Sequence, residues 1–395
     1  MKRYFTFIAM AIFAILIASV PAYAQNVSIE AKASLLMEAE TGKILHEFNA
    51  HEKLAPASVT KVMTMLLIYE AIEQERIKWD DIVTTSAHAA SMGGSQIFLE
   101  QEERQTVRDL TKSIVIASAN DAAVAMAEYI AGSEEAFVTQ MNNKARALGM
   151  ENTNFANACG LDADGHLTTA HDIAVMSREL ITKYPEVFDF SKTRIDKITH
   201  KTARGEEEFG LTNTNRLIRS YSGATGLKTG STSAALYCIS ATAEKEGMQL
   251  IAVVLAAPDP AIRFDGAMKM LDYGYANYAL IAKEETGTPM GEIKIYKGAL
   301  EKSPVVIKEQ VNMLAPKGKH VTLDGEVKIY ASLDAPVPKG HAAGEVIYTW
   351  EGEEVGRSEL IIPEDIERAS ANAIMGRLFR RWFYNEEAHF IEAEE

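Results

Sequence analysis

Pro56-Ala57-Ser58-Val59-Thr60-Lys61 opens an apolar segment in which Val62, Leu66 and Tyr69 recur at helical spacing, with Met63 and Leu67 beside them. The pattern predicts a helix over residues 58–72. Residues three apart share a helix face, so Ser58 and Lys61 can meet. A serine hydroxyl is a weak nucleophile until a neighbouring base takes its proton. Lysine can be that base only when its amine is neutral, which requires burial or nearby positive charge. Alone the spacing says little: Ser-x-x-Lys arises about once by chance in a chain this long. A helix-start serine beside a solvated lysine would explain it equally well.

Working outward, residues 34–48 read as a hairpin, with strand candidates 35–37 and 44–48 around Thr41-Gly42-Lys43. Helical patterns follow over 107–119, 122–130, 134–148 and 172–183, with a Gly, Asp and Asn-rich loop at 157–169. Apolar runs at 236–243 and 250–256 flank Lys245-Glu246-Gly247 as a strand–turn–strand, and 267–282 reads as a closing helix. Two further clusters stand out. Ser118-Ala119-Asn120 places a hydroxyl and an amide at an inter-helix turn, where they can face a cleft or simply cap a helix. Lys228-Thr229-Gly230 precedes the 236–243 run. A strand edge there would offer a cation, a hydroxyl and backbone amides, with glycine permitting close approach. A plain turn before a strand is the simpler alternative.

Ser-x-x-Lys, then Ser-x-Asn, then Lys-Thr-Gly, in that order, resembles the signature of serine penicillin-binding proteins and serine β-lactamases. The chain is similar to low-molecular-mass penicillin-binding proteins, the D-alanyl-D-alanine carboxypeptidases, over nearly its whole length. The resemblance runs through Pro56-Ala57-Ser58, the segment Ala117 to Ala123, Gly160-Leu161-Asp162-Ala163-Asp164-Gly165-His166, Asn213-Thr214-Asn215 and Gly226-Leu227-Lys228-Thr229-Gly230. Ser231, Thr225 and Cys159 depart from residues that some relatives carry, which bears on substrate preference and rate more than on reaction class.

The resemblance implies an α/β fold: a serine β-lactamase/transpeptidase-like catalytic domain, its antiparallel sheet flanked by helices, followed by a small all-β domain and a C-terminal amphipathic helix. It implies that Ser58 attacks the penultimate D-Ala of a peptidoglycan stem peptide and that Lys61 takes its proton. Ser118 would relay a proton to the leaving amine, and Asn120 would position substrate or Lys61. Lys228 and Thr229 would attract and bind the terminal carboxylate. Gly230 would allow close approach, with an oxyanion site between the Ser58 amide and the strand beyond it. An arginine in the family's corresponding segment points to Arg263 as a further carboxylate ligand, against a plain surface role. β-Lactams are expected as covalent inhibitors, and no metal or organic cofactor is needed. His166 would border the cleft through its loop. Asp172 reads as a helix N-cap. Cys159 and Cys238 could pair in an oxidising compartment, but the apolar strand setting of Cys238 favours two free thiols.

The whole sequence fits this reading. It has 395 residues, 47% hydrophobic and 24% charged, and a formal charge of −15. The length suggests more than one domain, and the composition is ordinary for a globular protein. The acidic balance argues against a nucleic-acid partner. With two cysteines and no Cys-x-x-Cys or His-Glu-x-x-His, neither a disulfide framework nor a zinc site is expected. Lys2 and Arg3, an apolar run from Phe5 to about Ser19, and Ala22 and Ala24 describe an export signal over residues 1–24. The protein is expected outside the cytoplasm, in the periplasm or on the outer face of the cytoplasmic membrane. The catalytic domain would occupy 25–285, the β-rich domain 286–363 and the tail 364–395. In that tail Ile374, Met375, Leu378, Phe379, Trp382 and Phe383 share one side and Arg377, Arg380 and Arg381 the other, as in a helix lying on a membrane surface. Packing on the β domain is the alternative. A serine β-lactamase is the enzymatic alternative, weakened by the absence of Glu-x-x-Leu-Asn; a weakly catalytic wall-binding module is the non-enzymatic one.

Overall fold

In chain order the first part of the molecule contains β1 (Ala33–Glu38), β2 (Ile44–Phe48), α1 (Lys61–Glu73), α2 (Val107–Ile116), α3 (Asn120–Ala131), α4 (Glu134–Ala147) and α5 (Ala170–Lys183). It continues through β3 (Ile195–Thr202), β4 (Gly205–Thr212), β5 (Ala224–Thr232), β6 (Leu236–Lys245), β7 (Met248–Ala257) and α6 (Pro260–Asn277). The computed structural model describes residues 27–202, 205–319 and 321–383. The expected export signal and the acidic end from Glu386 lie outside the described residues. The described chain divides into two compact units, the first ending at Asn277 and the second starting at Tyr278.

The first unit is built on a five-stranded antiparallel sheet in the order β2-β1-β7-β6-β5. β7, with the sequence Met-Gln-Leu-Ile-Ala-Val-Val-Leu-Ala-Ala, is central and buried along almost its whole length. Such a continuous apolar run suits a strand covered on both faces. The helix α1 is buried nearly all round, as its apolar composition demands. It begins at Lys61, so a lysine enters the core at the helix's first residue. The strand β5 lies at the sheet edge, and its buried residues include Lys228, Thr229 and Gly230.

Two expected boundaries shift. The predicted helix over 58–72 is a 3₁₀ turn, Ala57–Thr60, followed by α1. The closing helix starts earlier, at Pro260, and ends at Asn277. Residues expected in its last turn instead form β8 (Tyr278–Lys283), the first strand of the second unit. That division falls at 277/278 rather than 285/286.

In the second unit β8 pairs with β11 (Val311–Pro316). A six-stranded sheet is formed by β9 (Pro289–Tyr296), β10 (Lys302–Ile307), β12 (Asp324–Ile329), β13 (Ser332–Asp334), β14 (Ala342–Trp350) and β15 (Glu353–Ile361). Its order is β12-β14-β15-β10-β9-β13. Alternate residues such as Ile293, Ile295, Val305 and Val346 fill its core. The helix α7 (Ala371–Phe383) follows. Arg377 does not stand free on its polar face: its guanidinium donates to the carbonyls of Gly298 and Ala299 at 2.8 and 2.6 Å. Ile374, Met375 and Phe379 remain exposed.

Candidate active site

The 3₁₀ turn Ala57–Thr60 explains why Ser58 meets Lys61. Side chains at i and i+3 eclipse in this geometry, and Lys61 Nζ lies 3.1 Å from Ser58 Oγ. The residue before the nucleophile, Ala57, is held at φ +47°. A non-glycine residue in the left-handed region stores strain that the surroundings must enforce. They do so closely: a Cβ on Gly160 would lie 1.9 Å from Ala57 O, and one on Gly230 would lie 2.8 Å from Ser58 N. Both positions demand glycine, and together they clamp the turn from two sides.

Lys61 is fully buried, and its ammonium also donates to Asn120 Oδ1 at 2.5 Å and to the Cys159 carbonyl at 2.7 Å. Those two partners can only accept. A neutral amine has two N–H bonds and one lone pair, so satisfying both acceptors leaves the lone pair directed at Ser58 Oγ. An ammonium would instead donate to all three oxygens, so the site holds Lys61 in place in both protonation states. Burial holds Lys61 down at about 8. Lys228, also buried, is well below its ordinary range through burial first and then repulsion from Lys61 and Arg263. With two ammonium groups disfavouring each other, the pair sheds a proton more readily than isolated lysines.

Neither Ser118 nor Asn120 caps a helix: the N-cap of α3 is Ala119, without a side-chain hydrogen bond. Ser118 is buried at φ +64°, and Asn120, the first residue of α3, turns its carboxamide oxygen to Lys61 while its Nδ2 donates to Gly93 O at 2.7 Å. The Asn120 amide nitrogen donates to Ser95 O. Next to it, the buried Asp121 carboxylate accepts from the amides of Ile97, Leu99 and Ala122. The 93–99 segment is therefore tied to the start of α3 on both sides of Asn120.

The loop at 157–161 supplies a main-chain partner that side-chain motifs do not advertise. Asn157 Oδ1 gathers the amides of Cys159, Gly160 and Leu161, fixing the peptide whose carbonyl holds Lys61. The Cys159 thiol is buried and pushed up by burial; Cys238 is likewise buried and pushed up to about 11, and both thiols are free. His166 is buried against the nucleophile's turn. Its Nδ1 accepts from Ala156 N at 3.0 Å, which places its proton on Nε2, 2.8 Å from Thr60 Oγ1. Asp172 is not the N-cap of α5. Thr169 is, and Asp172 sits in the first turn, accepting from Thr153 Oγ1 at 2.7 Å.

On β5, Lys228 and Gly230 share a strand face, the one Gly230 turns to Ser58. Lys228 Nζ donates to Thr229 O at 3.0 Å, and Thr229 Oγ1 donates to Thr214 Oγ1 at 2.8 Å. Thr214 thus joins the site. Arg263, on α6, is buried, and its NH1 donates to the carbonyls of Gly230 and Cys238 at 3.1 and 3.2 Å. Through NH1 it braces the strand carrying the Lys-Thr-Gly segment. Thr225 bonds Thr242 and Gln249 away from the catalytic pair, and Ser231 is exposed.

A serine in contact with a buried lysine, which is held by Asn120 and faced by a glycine-bearing strand edge, has the arrangement of a serine acyl-transfer centre. Residues 20–259 match the D-alanyl-D-alanine carboxypeptidase family, and residues 278–368 match the C-terminal domain of penicillin-binding protein 5. The chain belongs to the D-alanyl-D-alanine carboxypeptidase family. It is 42% identical over 354 residues to the D-alanyl-D-alanine carboxypeptidase DacF of Bacillus subtilis, covering 89% of this chain and 90% of that protein. Among solved structures it resembles PBP3, a peptidoglycan synthesis regulatory factor of Streptococcus pneumoniae (TM-score 0.73, 28% identity, 86% of this chain and 100% of that one). It also resembles penicillin-binding protein D2 of Listeria monocytogenes in its ampicillin-bound form (TM-score 0.55, 33% identity, 63% of this chain and 99% of that one).

Proposed function

We propose that this protein removes the terminal D-alanine from peptidoglycan stem pentapeptides through an acyl-enzyme on Ser58. The observation that carries the proposal is the Ser58–Lys61 contact, with both remaining Lys61 partners being pure acceptors. Ser58 Oγ attacks the penultimate D-Ala carbonyl and its proton passes to Lys61. The oxyanion forms beside the Ser58 amide and the strand past Gly230. Each donor of that kind contributes about 3 kcal/mol to the transition state. Ser118 delivers a proton to the departing D-alanine nitrogen, the C–N bond breaks, and water then cleaves the ester to release the shortened peptide and regenerate Ser58. Lys228 and the Thr229–Thr214 hydroxyl pair receive the terminal carboxylate, with Arg263 positioning their strand. β-Lactams acylate the same serine.

The protein acts outside the cytoplasm, delivered by residues 1–24 and starting at Gln25. The α7 helix lays Ile374 and Met375 on the membrane surface. Among the described residues no helix is long and apolar enough to cross a membrane.

The test is D-alanine release from a pentapeptide ending in D-Ala-D-Ala, comparing wild type with Ser58→Ala. Release by the wild type alone is expected. Equal release from both proteins would remove Ser58 as nucleophile. Stable penicillin labelling without release would make the chain a binding module, and rapid turnover of penicillin would make it a β-lactamase.

A further inference from the structure

Strands β9 and β10 set Lys294 directly opposite Lys302 in their antiparallel register. Like charges facing each other across a strand pair destabilise it, so the arrangement asks for an anion. Glu292 lies 3.2 Å from Lys302, but among the described residues no carboxylate is within ion-pair distance of Lys294. Lys294 and Tyr296 share the sheet's outer face, where both are exposed. The face is not flat. Together with the connection from Lys297 to Glu301 and the start of α7, it encloses a cavity of about 520 Å³. Four cations, Lys294, Lys297, Lys302 and Arg377, line it with one carboxylate, Glu301, which lies 3.4 Å from Arg377, while Lys297 lies 3.9 Å from Asp334. Arg377 fixes the wall, since its bonds to the Gly298 and Ala299 carbonyls pin α7 to the connection.

The rim is apolar. Tyr296 is 57% exposed, and Ile374 faces the same cavity from α7, with Met375 exposed beside it. A cationic floor under an apolar rim, at the root of an amphipathic helix, matches a molecule with an anionic phosphate and a hydrocarbon portion. We infer that the cavity between the β9–β10 face and α7 is a binding site for the phosphate headgroup of an anionic phospholipid. The inference rests on the membrane reading of α7 and goes beyond it. The helix supplies generic apolar contact, whereas the cavity selects which lipid sits at its root. A free phosphate ester would satisfy the lysines but leave Tyr296 and Ile374 in water, so the lipid is the better occupant.

The experiment uses the purified chain from Gln25 onward with phosphatidylcholine vesicles, with and without phosphatidylglycerol, read by co-sedimentation. Lys294→Gln/Lys302→Gln is compared with Lys308→Gln/Lys328→Gln, which removes the same charge from lysines on the same domain outside the cavity. Melting temperatures and penicillin labelling of both variants confirm that they are folded. The wild type is expected to prefer phosphatidylglycerol. The cavity variant should lose about 20-fold in that binding, and the control much less. Equal loss in both variants would reduce the effect to general surface charge and overturn the site. Equal wild-type binding to both vesicles would overturn headgroup selection while leaving the membrane reading intact. No binding to either vesicle would remove the membrane reading and the lipid with it. Saturable binding of soluble glycerol phosphate in that last case would identify a free phosphate site instead.

Discussion

Gly160→Ala is a single methyl group placed outside the catalytic side chains, and its effect can be worked from distances. The new Cβ would lie 1.9 Å from Ala57 O, 2.4 Å from Ala57 C and 2.9 Å from Ser58 N. Relief to an ordinary contact of 3.4 Å requires a displacement of about 1.5 Å. It must come from the Ala57–Ser58 peptide or from the Cys159–Gly160 peptide, whose carbonyl holds Lys61. Either movement misaligns nucleophile and base, and a shift of that size typically costs about 100-fold in rate. The backbone at φ +88° adds about 1 kcal/mol of strain once a Cβ is present. The assay is the second-order rate of acylation by a fluorescent penicillin, alongside the melting temperature. Gly132→Ala is the matched control: its φ is +84°, with no atom within 4 Å of the new Cβ. The control should lose stability and keep its acylation rate; Gly160→Ala should lose both. Acylation of Gly160→Ala within about threefold of wild type would show that the clamp on Ala57 does not set the geometry of attack.

Two more outcomes are expected. Because Lys61 must be neutral to act, acylation should climb about tenfold per pH unit below its value of about 8 and level off above it; a profile flat from neutral to alkaline pH would exclude Lys61 as the base. Burial holds His166 at about 4 from an ordinary 6.5, so between those values the unfolded chain binds the extra proton and stability rises with pH. The contribution is complete above about 6.5 and is lost as pH falls toward 4, amounting to about 3 kcal/mol. Urea unfolding of wild type and His166→Gln at several pH values should therefore show a steeper acid decline in the wild type, and parallel declines would contradict the assignment.

The candidate site is legible in the sequence because nucleophile and base chemistry is tied to residue type and order. The fold brings Ser58, Lys61 and Asn120 into hydrogen-bond contact and sets Gly230 against the Ser58 amide, as the order of the three motifs suggests. Periodicity placed most of the first unit's helices and strands because burial imposes it. The Cys159 carbonyl was invisible for the opposite reason: a main-chain acceptor leaves no mark on residue identity, and only Asn157 and Gly160, which shape that peptide, could have hinted at it. Arg263 shows how a buried guanidinium divides its donors, since its NH1 serves two main-chain carbonyls, a contact that residue type does not announce. The short run from Tyr278 merged with the helix before it because six apolar-rich residues fit either period. The N-cap of α5 falls on Thr169 with Asp172 in its first turn, since both residue types suit a helix start and only the backbone geometry separates them.

Lys61 reaches its low proton affinity only by being sealed among segments far away in the chain: Asn120 lies 59 residues on and Cys159 lies 98. Before those segments close over it, its amine has the proton affinity of any solvated lysine, about 10.4, and Ser58 is an ordinary alcohol. The chain is therefore chemically silent while it is being made, threaded outward or refolded, and its reactivity switches on when water leaves the last step of assembly. Penicillin labelling of this protein is in consequence a measure of completed folding: a band that appears late in a refolding time course dates the sealing of the core rather than the arrival of the serine.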